Sequence, residues 1–159
     1  MGSMNSQDVR LRAIMTDDLP QLFEFNFDPE ANRLAATKPR SRDNFVSHWQ
    51  RVLSNPDIVA RAIVLGDQLA GSISCFGLDG QNFVGYWLGR VFWGQGVASK
   101  ALALLLTEVT VRPLYAHVAT HNRASMRVLE KCGFVVLSVK WSPEDDRLLA
   151  CDEALLELA

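Results

Sequence analysis

Two glycines, Gly94 and Gly96, stand directly before a run of helix formers in the stretch FWGQGVASKALALLLTEV, residues 92–109. Glycine adds no side-chain packing and costs backbone entropy, so a pair at this spacing predicts a chain that bends sharply or approaches a ligand closely. The first N–H groups of the following helix have no internal partners and sit at its positive end. That is the chemistry of an anion cradle, with a pyrophosphate as the natural occupant. A tight strand-to-helix turn, needing glycine for geometry alone, is the competing reading. A Walker loop would close on Gly-Lys-Ser/Thr, but Lys100 comes four residues after Gly96 and has no Ser or Thr behind it. A dinucleotide fold would want G-x-G-x-x-G after the first strand, whereas Ser99 fills the third glycine position here.

The elements that must hold this turn are legible around it. DVRLRAI (8–14) alternates as a first strand. Thr16, Asp17 and Asp18 offer caps to a helix LPQLFEF, with Pro20 in the first turn, where proline is tolerated. Residues 26–43, NFDPEANRLAATKPRSRD, are polar and broken by Pro29 and Pro39, and read as an irregular, mobile surface segment. Ser41 or Asp43 can cap a second helix, NFVSHWQRVL, whose Phe45, Trp49, Val52 and Leu53 fall on one face.

From Ile58 the period changes. IVARAIVL, QLAGSISCF and NFVGYWLG are separated by Gly66-Asp67 and Asp79-Gly80, which predicts two hairpins and three antiparallel strands. After the glycine turn come a helix over about 97–110, stopped by Pro113, and the strand LYAHVAT. Asn122 then caps a helix RASMRVLEKC that Gly133 closes, and FVVLSVKW is a further strand. The tail LLACDEALLELA has helical propensities, but its last residues are expected to close the sheet. Strand, glycine turn, helix and strand form a βαβ unit with parallel strands. The turn lies beyond the carboxyl end of its first strand, where open α/β sheets bind ligands.

A length of 159 residues and a net charge of -2 suit one domain with a full core. We place it at 4–159, setting Met1-Gly2-Ser3 aside as an expression scar ahead of Met4. No basic run marks a nucleic-acid or membrane-surface partner, and the longest apolar run, 101–106, is too short to span a bilayer. Cys75, Cys132 and Cys151 are scattered and lack metal-type spacing, and Cys75 and Cys132, inside the apolar patterns ISCF and KCGF, read as small buried hydrophobes. With no secretory signal read at the N-terminus, the expected compartment is the cytoplasm, and no metal is expected.

VGYWLGRVFWGQGVASKAL (84–102), followed by YAHVATHNRASMRVLEKCGF (115–134), resembles the GNAT superfamily of N-acetyltransferases, and more narrowly its ribosomal-protein, RimJ/RimL-like branch. The family loop reads Q/R-x-x-G-x-G/A. Gly96 and Ala98 match it, while Trp93 replaces the leading residue in a Trp-Gly pairing usual in this branch. N-x-x-S with V-L-E-K-x-G-F behind it is present in full over 122–134, and DPEANRLAA (28–36) is also similar to the branch.

The resemblance implies an α/β (α+β) GNAT fold: a central mixed, mostly antiparallel sheet of about seven strands flanked by helices, with strands 4 and 5 parallel and splayed. It implies acetyl-CoA as cosubstrate. Backbone groups of Leu88 and Arg90 would pair with the pantetheine arm, and amides of Gly94, Gln95, Gly96, Val97, Ala98 and Ser99 would hold the pyrophosphate. Asn122 would contact the pantetheine, and Ser125 would lie near the sulfur. Arg90 stands where the family often has proline and would add positive charge near the phosphates.

The implied reaction moves acetyl from acetyl-CoA to a primary amine, on a protein N-terminus or a small molecule, within a ternary complex. It needs positioning, an oxyanion donor (the Leu88 N–H is the expected one) and removal of the ammonium proton. Many members use a tyrosine just before E-K-x-G-F to protonate the departing thiolate. Leu129 stands there, which leaves Ser125 or a water; a first-turn serine satisfying its own backbone is the competing reading. His117, on the strand face shared by Tyr115 and Ala119, is the expected base, against the reading of a hydrogen-bonded sheet histidine; His121 comes second. Glu24, Asp28 and Glu30 are alternatives for recognising a cationic amine. Tyr86, Trp87, Phe92 and Trp93 are expected mainly as packing, as are Trp49 and Trp141. The rival function is a non-catalytic acyl-CoA-binding sensor or scaffold of the same fold. Pairing of strand edges leaves room for a homodimer.

Overall fold

Two-residue turns set the register of the central sheet. In the computed structural model, which describes residues 8–159, β1 (Val9–Ala13) pairs antiparallel with β2 (Val59–Leu65). Gly66-Asp67 joins β2 to β3 (Gln68–Leu78), and Asp79-Gly80 joins β3 to β4 (Gln81–Leu88). Asp79 and Gly80 both have positive φ, 52° and 78°, the backbone of a type I′ turn whose twist matches the strands it connects. The proposed scar, Met1-Gly2-Ser3, lies outside the described residues.

The sheet has seven strands in the order β1-β2-β3-β4-β5-β7-β6, with β5 over Leu114–Ala119, β6 over Val135–Ser142 and β7 over Cys151–Leu158. The tail is therefore a strand: β7 lies between β5 and β6 and pairs antiparallel with both, which overrides its helical propensities. β4 and β5 are parallel, and their registered pairs are Asn82–Leu114 and Phe83–Tyr115. Beyond Phe83 the two strands diverge, and the C-terminal half of β4 borders an open wedge.

Five helices cover the sheet: α1 (Leu19–Asn26), α2 (Pro29–Ala35), α3 (Arg42–Ser54), α4 (Val97–Glu108) and α5 (Arg123–Lys131). Leu102 and Leu105 of α4 pack with Ile73, Val84, Leu114 and Leu156 in one core cluster, which Leu129 of α5 and Phe134 also join. Leu22 and Phe23 of α1 and Phe45 and Trp49 of α3 bury Ala60 and Ala62 in a second cluster. Period-two alternation puts Leu114, Ala116 and Val118 of β5 against the first cluster and leaves Tyr115, His117 and Ala119 facing the other way.

Three expectations need correction. Within 26–43 the chain is not irregular throughout: Pro29–Ala35 is a helix. Asp28 caps it by accepting the Glu30 N–H at 2.9 Å, Pro29 opens it, and Ala36 ends it in the left-handed region at φ 56°. Asn32, 4% exposed, makes the structure specific, because its amide donates to the Asn26 and Asp28 carbonyls at 2.7 and 2.9 Å and accepts from the Thr37 hydroxyl at 2.7 Å. In α3, Ser41 is the cap, accepting the Asn44 N–H at 3.2 Å, and Phe45 and Trp49 are buried. Leu53, one position round from Val52 in the last turn, is exposed. Trp141 is 66% exposed rather than packed, because β6 is an edge strand on which Val135, Leu137 and Val139 are exposed as well. Cys75 and Cys151 are buried, Cys132 is half-buried, and all three are free thiols. Among the described residues no helix is long and apolar enough to cross a membrane.

Candidate active site

Strand alternation turns the backbone groups of every second β4 residue toward the wedge, and Leu88 is one of them. Antiparallel pairing alternates residues whose N–H and C=O both face the partner with residues whose groups face away. The Gly89 N–H donates to the Ala70 carbonyl at 2.9 Å, and Leu88 is in register with Gly71. The Leu88 N–H and C=O therefore point away from β3, into the space left by the divergence of β5. The Leu88 carbonyl accepts the Trp93 indole N–H at 3.2 Å.

The glycine turn forms the rim of the same space. A short 3-10 turn, Arg90–Phe92, ends β4, and Gly94 and Gly96 follow with φ 75° and 76°, in the left-handed region that disfavours side chains. A Cβ on Gly94 would meet nothing within 4 Å, so the backbone lies open there. Gly96 caps α4, whose N-terminal end faces a cavity of about 460 Å³, a size suited to a small ligand or cofactor arm. Leu88, Gly94, Gly96, Val97, Ala98, Ser99, Asn122 and Ser125, all expected site residues, line this cavity.

Arg90 and Gln95 are not among the residues lining it. The Gln95 amide folds back to donate to the Val91 carbonyl at 2.9 Å. The Arg90 guanidinium donates to Asp28 Oδ2 at 2.8 Å and lies 5.9 Å from the centre of the Trp93 ring, so its charge is engaged at the α1–α2 junction. That hydrogen bond is the main reason the Asp28 carboxyl is held below the usual range.

Sequence reasoning assigned Tyr86 to packing; the structure gives it a polar partner inside the cavity. The Tyr86 phenol and the Ser125 hydroxyl meet at 2.6 Å. Asn122 fixes the serine from behind, its side-chain oxygen accepting the Ser125 N–H at 3.3 Å as the cap of α5. Burial pushes the Tyr86 phenol up to about 12, with the serine hydrogen bond acting in the opposite direction. The phenol is therefore protonated at neutral pH and can donate. Leu129, at the family's tyrosine position, is 1% exposed and belongs to the core. Trp87 and Trp93 also line the cavity, as does Phe92, which is otherwise buried packing as expected. Arg127 and Lys131 of α5 add positive charge to the lining, a contribution that their i, i+4 spacing could have announced.

The remaining candidates lie elsewhere. His117 is not a lining residue; its ring stacks on Phe83 with centroids 4.8 Å apart, and Nδ1 is 3.2 Å from Glu153 Oε1. His121 Nε2 is hydrogen-bonded with the Arg33 carbonyl at 2.8 Å, tying the end of β5 to α2. Glu24 faces Arg42 at 3.8 Å, Asp28 holds Arg90, and Glu30 accepts from Arg33 Nε at 2.9 Å. Each carboxylate considered for cation recognition is thus paired with an arginine. The Trp87 indole N–H donates to the Phe25 carbonyl at 2.8 Å, fixing α1 to β4. Ala31, Leu34 and Ala35 of α2 contribute apolar lining to the same cavity.

Residues 8–135 match the acetyltransferase (GNAT) domain family. The chain belongs to the GNAT family. YdaF of Bacillus subtilis, provisionally named a ribosomal N-acetyltransferase, is 27% identical over 101 residues, covering 59% of this chain and 55% of that relative. The chain thus spans about half the length of this GNAT relative. Among solved structures, spermidine N-acetyltransferase from Vibrio cholerae, in complex with CoA and spermine, aligns at TM-score 0.80 with 17% identity, over 96% of this chain and 95% of that one. RimL, a ribosomal L7/L12 α-N-protein acetyltransferase in complex with coenzyme A, aligns at TM-score 0.78 with 20% identity, over 98% and 97%. The likeness establishes the shared GNAT fold: a seven-stranded mixed sheet with parallel, splayed β4 and β5.

Proposed function

We propose that this GNAT protein is an acetyl-CoA-dependent N-acetyltransferase acting on an α-amine such as a protein N-terminus. The observation that carries catalysis, as against mere acyl-CoA binding, is the Tyr86–Ser125 pair inside the cavity. A sensor has no need of a buried proton donor.

The residues present fit the cosubstrate. The open backbone at Gly94, the left-handed Gly96 and the free end of α4 suit a pyrophosphate, and Arg127 and Lys131 suit its charge. The wedge-facing groups of Leu88 can pair with an amide-bearing arm as an added strand would. Acetyl-CoA would supply an activated acetyl group: the acceptor nitrogen forms the C–N bond and releases a proton to solvent, the C–S bond breaks, and the sulfur requires a proton. The Leu88 N–H can donate to the carbonyl oxygen as charge develops there. Ser125 Oγ donates its proton to the sulfur and takes the Tyr86 proton in return, and the phenolate is reprotonated from solvent.

The titratable lining residues, Tyr86, Arg127 and Lys131, are acids or cations at neutral pH. An α-amine, with a pKa of about 8, is roughly one-tenth neutral at pH 7 without a dedicated base, whereas an alkyl amine at about 10.4 is neutral to only a few parts in ten thousand. This favours an N-terminal acceptor over a lysine side chain or a polyamine. Thiol release from acetyl-CoA with peptide N-termini, against the same peptides blocked at the α-amine, tests the proposal. Release that depends on a free α-amine supports it, and release no faster than the uncatalysed background removes it.

A further inference from the structure

Charge around α2 is unevenly paired. The carboxylates Glu24, Asp28 and Glu30 of the α1–α2 region each hold an arginine, yet among the described residues three arginines beyond α2 have no carboxylate within salt-bridge distance. Arg40 precedes the Ser41 cap of α3, and His48 and Arg51 lie one turn apart on the same face of that helix. The 145–149 loop brings in Arg147, pinned against the segment after α2: the Lys38 N–H donates to the Arg147 carbonyl at 2.8 Å, and Arg147 Nη1 donates to the Lys38 carbonyl at 2.6 Å. The Leu149 N–H adds a bond to the Ala36 carbonyl at 2.8 Å.

These groups feel one another. Burial, then Arg40, Arg51 and Arg147, press the His48 imidazole down to about 4, and burial with Arg147 and Arg51 brings Arg40 to about 10. All three guanidiniums stay charged at neutral pH, and His48 stays neutral. Of the nearby carboxylates, Asp145 accepts the Arg147 and Leu148 N–H groups at 2.8 and 2.7 Å and also feels the Lys38 and Arg147 charges, and Glu144 faces Lys38 at 3.4 Å. Residues 1–7 contain no Asp or Glu that could reach over. Arg40 and Arg147 are half-buried and Arg51 is exposed; like charges so gathered repel, and an oxyanion held by planar guanidinium forks turns that cost into attraction.

The cluster also lies within reach of the cavity. Leu34 forms part of the cavity wall, and Lys38, in direct contact with Arg147, is four residues further along the chain. Four residues span at most roughly 14 Å, the reach of an extended peptide of the same length.

We infer that Arg40, Arg51 and Arg147, gathered around His48, bind acidic side chains of the acceptor, so that the substrate is a peptide N-terminus with carboxylates at about its third to fifth positions. The inference rests on the proposed acetyl transfer for its account of what the peptide is doing there, but the anion site stands on its own geometry. The pairing of Glu24, Asp28 and Glu30 with arginines agrees with it, since no free carboxylate in that region recruits a polycation.

The test follows the His48 ring resonances by NMR in CoA-saturated protein, so that the glycine turn is filled. Two peptides are added that differ only in Glu or Gln at positions three to five, with free glutamate as a control too short to bridge. The expected result is a saturable His48 shift at concentrations at least about tenfold lower for the Glu peptide, with the His48 pKa raised on binding. The response weakens in salt and is lost in Arg40→Gln and in Arg147→Gln. Arg51→Gln, checked for an unchanged unfolding midpoint, stands in for either variant that does not fold. Equal responses to the two peptides, or a response surviving these substitutions, overturns the inference. So does tighter binding of a single-stranded RNA oligonucleotide, which would assign the cluster to nucleic acid. A Glu peptide that binds at His48 but is never acetylated removes the transfer reading and leaves the carboxylate-binding site. Acetylation of both peptides with the same KM removes the site and leaves the transfer.

Discussion

The Tyr86 phenol and the Ser125 hydroxyl lie 2.6 Å apart although 39 residues separate them in the chain. One belongs to β4 and the other to the first turn of α5, so the contact bridges the wedge opened by the divergence of β4 and β5. It puts a donor phenol in the cavity, while Leu129, at the family's tyrosine position, packs into the core.

Removing either hydroxyl should slow turnover without emptying the site. Tyr86→Phe and Ser125→Ala are each expected to lower kcat about 100-fold, the scale of a positioned general acid, with KM for acetyl-CoA nearly unchanged. The double variant should be little worse than either single one, because the two act as one relay. Fully additive losses in steady-state kinetics would mean that the two groups work independently.

The pH dependence follows from the same pair. The phenol is pushed up to about 12, so Tyr86 keeps its proton through the accessible alkaline range. The reacting amine is active when neutral, so kcat/KM should rise with pH through the acceptor's pKa of about 8 and then level off up to pH 10. Tyr86→Phe should keep the rise at a lower ceiling. A fall between pH 8 and 10 in the wild-type profile would show that a different acid is at work.

Glycine at the turn is a conformational requirement with a functional counterpart. Gly94→Ala meets no neighbouring atom but must hold φ near 75°, which costs about 1–2 kcal/mol in the left-handed region. Gly96→Asp sets a carboxylate among amides meant for phosphate and should abolish CoA binding in a folded protein. Calorimetric titration with CoA reads both effects, and normal affinity in folded Gly96→Asp would remove the loop assignment.

A fourth expectation concerns stability alone. Asp18, 8% exposed, accepts from both guanidinium nitrogens of Arg12 at 2.7 and 2.9 Å and from the Met15 N–H at 2.8 Å. The Arg12 hydrogen bonds are the main cause that holds its carboxyl below the usual range. A lowered folded-state value contributes stability above the unfolded value of about 3.9, lost as pH falls through the folded one. Asp18→Asn should therefore cost about 2 kcal/mol at pH 7 and flatten the acid side of the stability curve in urea unfolding.

What could be read from the sequence was what local chemistry decides. Gly66-Asp67 and Asp79-Gly80 announced their hairpins, Asn122 its cap, and Gly94 and Gly96 the bend before α4, because each acts on its own few residues. α2 was hidden by punctuation: Pro29 looked like a breaker, although after Asp28 it is a helix-opening residue. Tyr86 was hidden by strand alternation, which assigned it to packing, since its partner belongs to another element. The gathering of Arg40, His48, Arg51 and Arg147 is likewise non-local, made only when Lys38 pairs with Arg147. His117 drew notice by residue type, yet strand parity turns it toward Phe83 and Glu153.

The most direct measurement is thermal unfolding of the purified protein with acetyl-CoA, with CoA, and with NADH as a control dinucleotide. A ligand at one hundred times its dissociation constant stabilises the folded state by about 2.7 kcal/mol, which raises the midpoint by several degrees for a domain of this size. The account predicts that rise with acetyl-CoA and CoA, its absence with NADH, and its loss in Gly96→Asp. No rise with either CoA species, well above micromolar concentration, would contradict the account and leave the chain with the GNAT fold but without its cosubstrate.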